Sequence, residues 1–214
     1  MSGSGGYAPS VTENGAAVPK RQERGAAREQ QIVSAAAELI AERGLANLRV
    51  ADVAERAGLG AGHVSYYFRS KTLLLMRAIQ QSEDAFIDQT EATLARIRDP
   101  WKRLAKFIEL SAANGPRDPG WVLWFEVWSN AAQSDEVARL HEELDARSCA
   151  LLADIIRHGC DQGVFTTDDP TQAAIVLAAT IDGLSIQLTL GKAGLTARQV
   201  NRLCLDTART LLTH

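Results

Sequence analysis

The stretch Val50-Ala-Asp-Val-Ala-Glu-Arg-Ala-Gly58-Leu-Gly-Ala-Gly-His63-Val-Ser-Tyr-Tyr-Phe68 decides the fold. Val50, Val53, Ala54 and Ala57 recur at helical spacing, and Gly58 stops the run. Ala61–Phe68 makes a second short helix, with Val64 and Phe68 four apart and turned, like Leu59, toward a core. Helices of about eight residues do not persist alone, so these two must pack on each other. A tight turn, Gly58-Leu59-Gly60, joins them, and Gly58 has the conformational freedom such a turn demands. Two short helices with a glycine turn between them are the pattern of a helix-turn-helix. The outward positions of the second helix are Ala61, Gly62, His63, Ser65 and Tyr66. They are small at its start and polar later, which suits close approach to a DNA major groove.

Working outward from this stretch, the periodicity is helical everywhere. Arg28–Arg43 puts Ile32, Ala36, Leu39 and Ile40 on one stripe and ends at Gly44. Beyond Phe68 the expected helices are Lys71–Ile97, Trp101–Ala113, Trp121–Ala132, Asp135–Gln162, Asp169–Leu190 and Thr196–Leu212. No run alternates with period two, so the fold class is all-α, with about nine helices. Residues 1–19 are rich in Gly, Ser, Pro and Asn and read as a disordered tail. A short basic arm, Lys20–Arg24, follows. The expected units are a tail (1–19), a three-helix DNA-binding module (20–70) and a helical ligand-binding and dimerisation domain (71–214).

The chain carries a net charge of −3, unpromising for a nucleic-acid binder until its distribution is read. Residues 20–71 hold nine Lys and Arg against six Asp and Glu, whereas residues 72–214 hold 14 against 19. A basic module on an acidic body is consistent with local attraction to phosphate. Cys149, Cys160 and Cys204 are odd in number and imply no disulfide framework, which fits a reducing cytoplasm. The N-terminus has no signal-peptide core. No stretch reaches the ~18 apolar residues of a membrane span; Ile175–Leu190 comes nearest and is interrupted by Asp182 and Gln187. No phosphate loop, nucleophile elbow or paired-carboxylate constellation marks an enzyme. His141, Cys149, His158 and Cys160 do not match metal-ligand spacing, so neither metal nor cofactor is implied.

Val50–Phe68, extended through Arg69-Ser70-Lys71-Thr72-Leu73, resembles the signature of the tetracycline-repressor (TetR) family. Its marks are Ala57-Gly58 at the turn, Tyr67-Phe68, and Ser70-Lys71 before the long fourth helix. The resemblance implies a DNA-binding transcriptional regulator in which Ala61, Gly62, His63, Ser65, Tyr66 and Tyr67 face DNA and Lys71 contacts its backbone. Two positions depart from the pattern. Arg49 stands where Ser or Thr usually caps the second helix, leaving a guanidinium that could reach a phosphate, and Gly60 replaces the usual Ser or Thr before the third.

In the body, Trp121, Trp124, Phe125 and Trp128 fall within roughly 100° of a helical wheel, an aromatic stripe that serves either core packing or a pocket wall. Glu126 lies about 140° from Trp121, so a carboxylate completing an aromatic cage must come from another helix. Trp121–Trp128, Asp169-Pro170, Ile181-Asp182-Gly183-Leu184 and Leu195-Thr196 resemble the choline-responsive BetI subgroup of the same family. That similarity implies a cationic effector held by aromatic faces, with a polyamine, another amine or an unrelated apolar effector also fitting. Asp169–Leu190 is apolar nearly all round, and Val200, Leu203, Cys204, Thr207, Ala208 and Leu211 form a stripe on the last helix. Pairing 169–190 and 196–212 with their copies gives a four-helix homodimer interface, as the family does, and two heads for a pseudo-palindromic double-stranded operator. The expected function is a repressor released when an effector shifts the helix Lys71–Ile97. The alternatives are a helical adaptor that binds no DNA and an enzyme of unrecognised type.

Overall fold

The structure, a computed structural model, describes residues 20–213. The expected disordered tail, 1–19, lies outside the described residues. Nine helices fill the described chain: α1 (Lys20–Arg43), α2 (Val50–Arg56), α3 (Ala61–Tyr67), α4 (Lys71–Leu94), α5 (Pro100–Ser111), α6 (Pro119–Ala131), α7 (Asp135–Asp161), α8 (Pro170–Thr189) and α9 (Ala197–Leu212).

Their starts follow from local chemistry. Ser70, Asp99, Asp118, Ser134, Asp169 and Thr196 each turn a side-chain oxygen onto the free N–H groups of the helix they precede. Pro100, Pro119 and Pro170 occupy first turns, where the missing N–H costs nothing. Thr196 and Gln199 complete a reciprocal capping box. Arg49 and Gly60 give α2 and α3 no side-chain cap. The basic arm expected at Lys20–Arg24 is instead the beginning of α1. Lys, Arg, Gln, Glu and Ala are good helix formers, and the nearest breaker upstream is Pro19.

Two cores meet in the middle. The first gathers the inner faces of α1–α4 with Leu123 and Val127 of α6 and Val137, Leu140 and Leu144 of α7. The second gathers α5, the C-terminal half of α7, α8 and α9 around Leu104, Ile108, Ile156, Leu177 and Cys204. Helices α4 and α7 have buried side chains in both, α4 through Leu94 in the second, and α6 reaches the second through partly buried Trp121.

Two sequence expectations change. Helix α8 is long and apolar enough to cross a membrane by length and composition, with mean hydropathy 1.3, but here it packs between α7 and α9. Half of the α9 stripe expected at a dimer interface, Val200, Cys204 and Ala208, is buried within its own protomer. The wheel could not tell which neighbour a stripe would meet. Ile175, Val176, Leu190 and Leu203 stay exposed at 40–69%.

Candidate functional site

The helix-turn-helix is positioned by three buried groups: Val53 and Ala54 of α2 and Val64 of α3, with Phe68 closing the end of α3. Gly58 has φ +66°, and Leu59 N–H returns to Ala54 O at 2.9 Å, which fixes the turn. With that side seated, Ala61, Gly62, His63, Ser65 and Tyr66 are exposed. Tyr66 is 82% exposed and stands edge-on to half-buried Tyr67, ring centres 5.3 Å apart.

The basic side chains of this module divide into two sets. Arg43 pairs with Asp52 at 3.0 Å, and Arg56 is held between Glu38 (2.9 Å) and Glu42 (3.0 Å). Its hydrogen bonds hold the Glu42 carboxyl below, and the Arg56 guanidinium above, their ordinary values. These two cations are spent inside the module. Arg49, Arg69 and Lys71, which flank the helix-turn-helix, are exposed and have no carboxylate partner among the described residues. Lys71 Nζ instead donates to Ala46 O at 3.0 Å.

A cavity of about 210 Å³ opens between α4, α5, α6, α7 and α8. Trp121, Trp124 and Trp128 form one wall, with Trp124 stacked on Trp128 at 5.9 Å and Trp121 tilted against Trp128 at 6.0 Å. Two of the three ring N–H groups are anchored: Trp124 Nε1 donates to Glu83 Oε1 and Trp128 Nε1 to His141 Nε2, each at 3.0 Å. Such bonds orient the indoles and satisfy donors that burial would otherwise strand.

Carboxylates make the other walls: Glu83, Asp118, Asp145 and Asp182, with no Lys or Arg among the lining residues. Asp118 is occupied as the cap of α6, accepting from Gly120 N (3.0 Å) and Trp121 N (3.2 Å). Burial pushes the Glu83 carboxyl up, against the pull of the Trp124 N–H. Burial, then the charge of Asp145, pushes Asp182 up to about 6. Ser111 also lines the cavity, and its hydroxyl is buried without a hydrogen-bond partner among the described residues. Indole faces and carboxylates both attract cations, the first through the ring quadrupole and the second by charge.

Residues 32–78 match the family model described as bacterial regulatory proteins, tetR family. Residues 100–213, more than half of the chain, match that of the BetI-type transcriptional repressor C-terminal domain. The chain belongs to the tetR family of bacterial transcriptional regulators. It is 31% identical to the HTH-type transcriptional regulator BetI 2 of Chromohalobacter salexigens over 87% of this chain and 89% of the relative. It is 29% identical to BetI of Agrobacterium fabrum, over 78% and 80% of the two chains. A transcriptional regulator from Saccharomonospora viridis, solved in complex with choline, superposes with TM-score 0.79 at 31% identity, covering 87% of this chain and 97% of that one.

Within this tetR-family chain the expected site residues separate cleanly. Three of the four aromatic candidates, Trp121, Trp124 and Trp128, line the cavity. Phe125 does not; it packs against Trp128 at 5.9 Å and supports the wall from outside. The carboxylates come from other helices, as the wheel required, but Glu83, Asp145 and Asp182 lie on three helices far apart in sequence. His141, set aside as a metal ligand, belongs to the wall. The expected helix begins at Trp121, and nothing in the spacing shows that Asp118 caps α6 from Pro119 or that it faces a cavity.

Proposed function

We propose that the chain binds a pseudo-palindromic operator as a homodimer and leaves it when a small organic cation of the choline class enters the cavity. The observation that carries the reading is the cavity itself: three indoles, two of them anchored through their ring N–H groups, facing carboxylates, with no Lys or Arg among the lining residues. An ammonium head suits the indole wall. The unpartnered Ser111 hydroxyl and the Asp182 carboxyl offer partners to a polar tail. The choline bound to the Saccharomonospora viridis relative supports the same class of effector.

On the DNA side, Ala61, Gly62, His63, Ser65, Tyr66 and Tyr67 would meet the major groove, and Arg49 and Lys71 the backbone. The unit 20–70 reads DNA, and 71–214 holds the effector and the partner. The exposed apolar side chains of α8, its C-cap and α9, Ile175, Val176, Leu190 and Leu203, supply the dimer face. A two-fold pair of heads then fits half-sites about one helical turn apart. This role places the protein in the cytoplasm, with its DNA.

Release requires that the cation bind better to the DNA-free arrangement than to the bound one. The test uses a duplex selected from a random pool by the protein itself. Choline weakens operator binding at least tenfold. Trp124→Ala keeps operator binding but loses choline affinity by about 30-fold, the equivalent of about 2 kcal/mol for a desolvated cation–π contact. Operator affinity that ignores saturating choline overturns the effector class.

A further inference from the structure

Helix α6 has two working faces. Trp121, Trp124 and Trp128 look into the cavity, while Leu123 and Val127 are buried in the core shared with α1. Glu126 also leaves the cavity side, and its carboxylate Oε1 accepts the backbone N–H of Leu45 at 3.0 Å, across 81 residues of sequence.

That N–H is the one at issue where α1 ends. Gly44 stops the helix with φ +76°, and its own N–H bonds Ile40 O at 2.8 Å. In a common glycine stop the following N–H folds back onto a helix carbonyl. Here Leu45, a buried residue, donates outward to α6 instead. A buried amide needs a partner, so the turn is tied to that carboxylate. The fit is close: a Cβ on Gly44 would sit 3.0 Å from the same oxygen.

The loop that begins there is gripped from its other side by Lys71, the first residue of α4, through Ala46 O. It runs on to Arg49, immediately before α2. Residues 44–49 thus give α6 a contact path to the helix-turn-helix beside the one through α4, which Trp124 joins at Glu83.

We infer that Glu126 is a positioning residue for the switch: it transmits movement of the cavity wall to the DNA-reading module by holding the Leu45 amide. The inference rests on the reading of the cavity as an effector site. Full-length protein, choline as probe and the selected operator test it. Glu126→Ala keeps choline affinity within twofold of the wild type, read by tryptophan fluorescence. Its choline-induced loss of operator affinity shrinks at least fivefold. Glu126→Gln, whose amide oxygen still accepts the Leu45 N–H, restores the response. Undiminished release in Glu126→Ala, or loss of choline binding in it, overturns the inference. A second measurement needs no effector. In ¹⁵N-leucine spectra, Trp128→Phe moves the Leu45 amide resonance when Glu126 is present and not in the Glu126→Ala background. An unmoved resonance with Glu126 present overturns the link, whereas choline failing to bind the wild type overturns only the effector class.

Discussion

The recognition helix and the cavity handle polar groups in opposite ways. On α3 every candidate DNA contact except half-buried Tyr67 is exposed, and the helix is held from beneath by buried Val64 and Phe68. Water solvates that polar surface until DNA replaces it, so its chemistry costs the fold almost nothing. In the cavity, Glu83 is buried and Asp182 partly so, and both carboxyls are pushed up by loss of water. The Cys149 thiol is pushed up by the same burial and by Asp145 and Asp182. The DNA surface is thus neutral toward stability, whereas the cavity holds negative charge that a bound cation would relieve.

The sharpest way to break this contrast is at α3. Replacing both His63 and Tyr66 by Ala removes two exposed side chains, one of them 82% exposed. Lost base-edge contacts cost about 1–3 kcal/mol each, so operator affinity falls roughly a hundredfold. Exposed substitutions change stability by only about 0.5 kcal/mol. Anisotropy titrations and urea unfolding read the two quantities side by side. A large drop in stability with operator binding intact means that α3 is a packing element rather than a reader.

Asp182 tests the other half. Its folded-state value of about 6 lies above the ordinary 3.8. A raised value means that the fold prefers the protonated acid. The contribution is fully present below about 3.8 and is lost as pH rises through about 6, so ionised Asp182 weighs against the fold near pH 7.5. Asp182→Asn therefore stabilises the effector-free protein by about 1–2 kcal/mol at pH 7.5 and much less at pH 4. The same change weakens choline binding by about tenfold at pH 7.5. In the wild type, choline affinity falls as pH drops from 7 to 5, and in Asp182→Asn the fall is smaller, what remains belonging to Glu83, whose carboxyl burial also pushes up. Equal stability gains at both pH values would show that the substitution acts through packing instead of charge.

Why the two sites were unequally legible follows from the same contrast. The DNA-reading module is local: a glycine turn, a buried Val–Phe pair and the outward side chains sit within 19 consecutive residues, Val50–Phe68, so periodicity alone orients them. The cavity is assembled from five helices. Its indoles share one helix and could be read as a stripe, but a wheel places Phe125 among them while the structure sets it behind Trp128. Glu83 and Asp145 look in sequence like any carboxylates on amphipathic helices, and Asp182 only like an interruption of an apolar run; packing alone brings the three together. Glu126 shows the limit best. Its angle on the wheel removes it from the cage, yet no pattern reveals a backbone N–H waiting for it 81 residues away.

The smallest expected effect tests where the contrast should fail. Arg49 is one of the proposed backbone contacts, but it occupies the capping position of α2 with extended backbone (φ −117°, ψ 139°) and no side-chain cap. Ser there would accept an N–H from the first turn, worth about 1 kcal/mol. If Arg49 contacts a phosphate, this is one place on the recognition surface where DNA binding is gained at the expense of the fold. Arg49→Ser then raises unfolding stability by about 1 kcal/mol, weakens operator binding a few-fold at low salt, and reduces the slope of log affinity against log salt by about one. Urea unfolding and titrations between 50 and 200 mM salt, a range over which roughly one counterion is resolvable, measure all three. A stabilised variant with an unchanged salt slope removes Arg49 from the phosphate contacts, and leaves the DNA surface without any cost to stability.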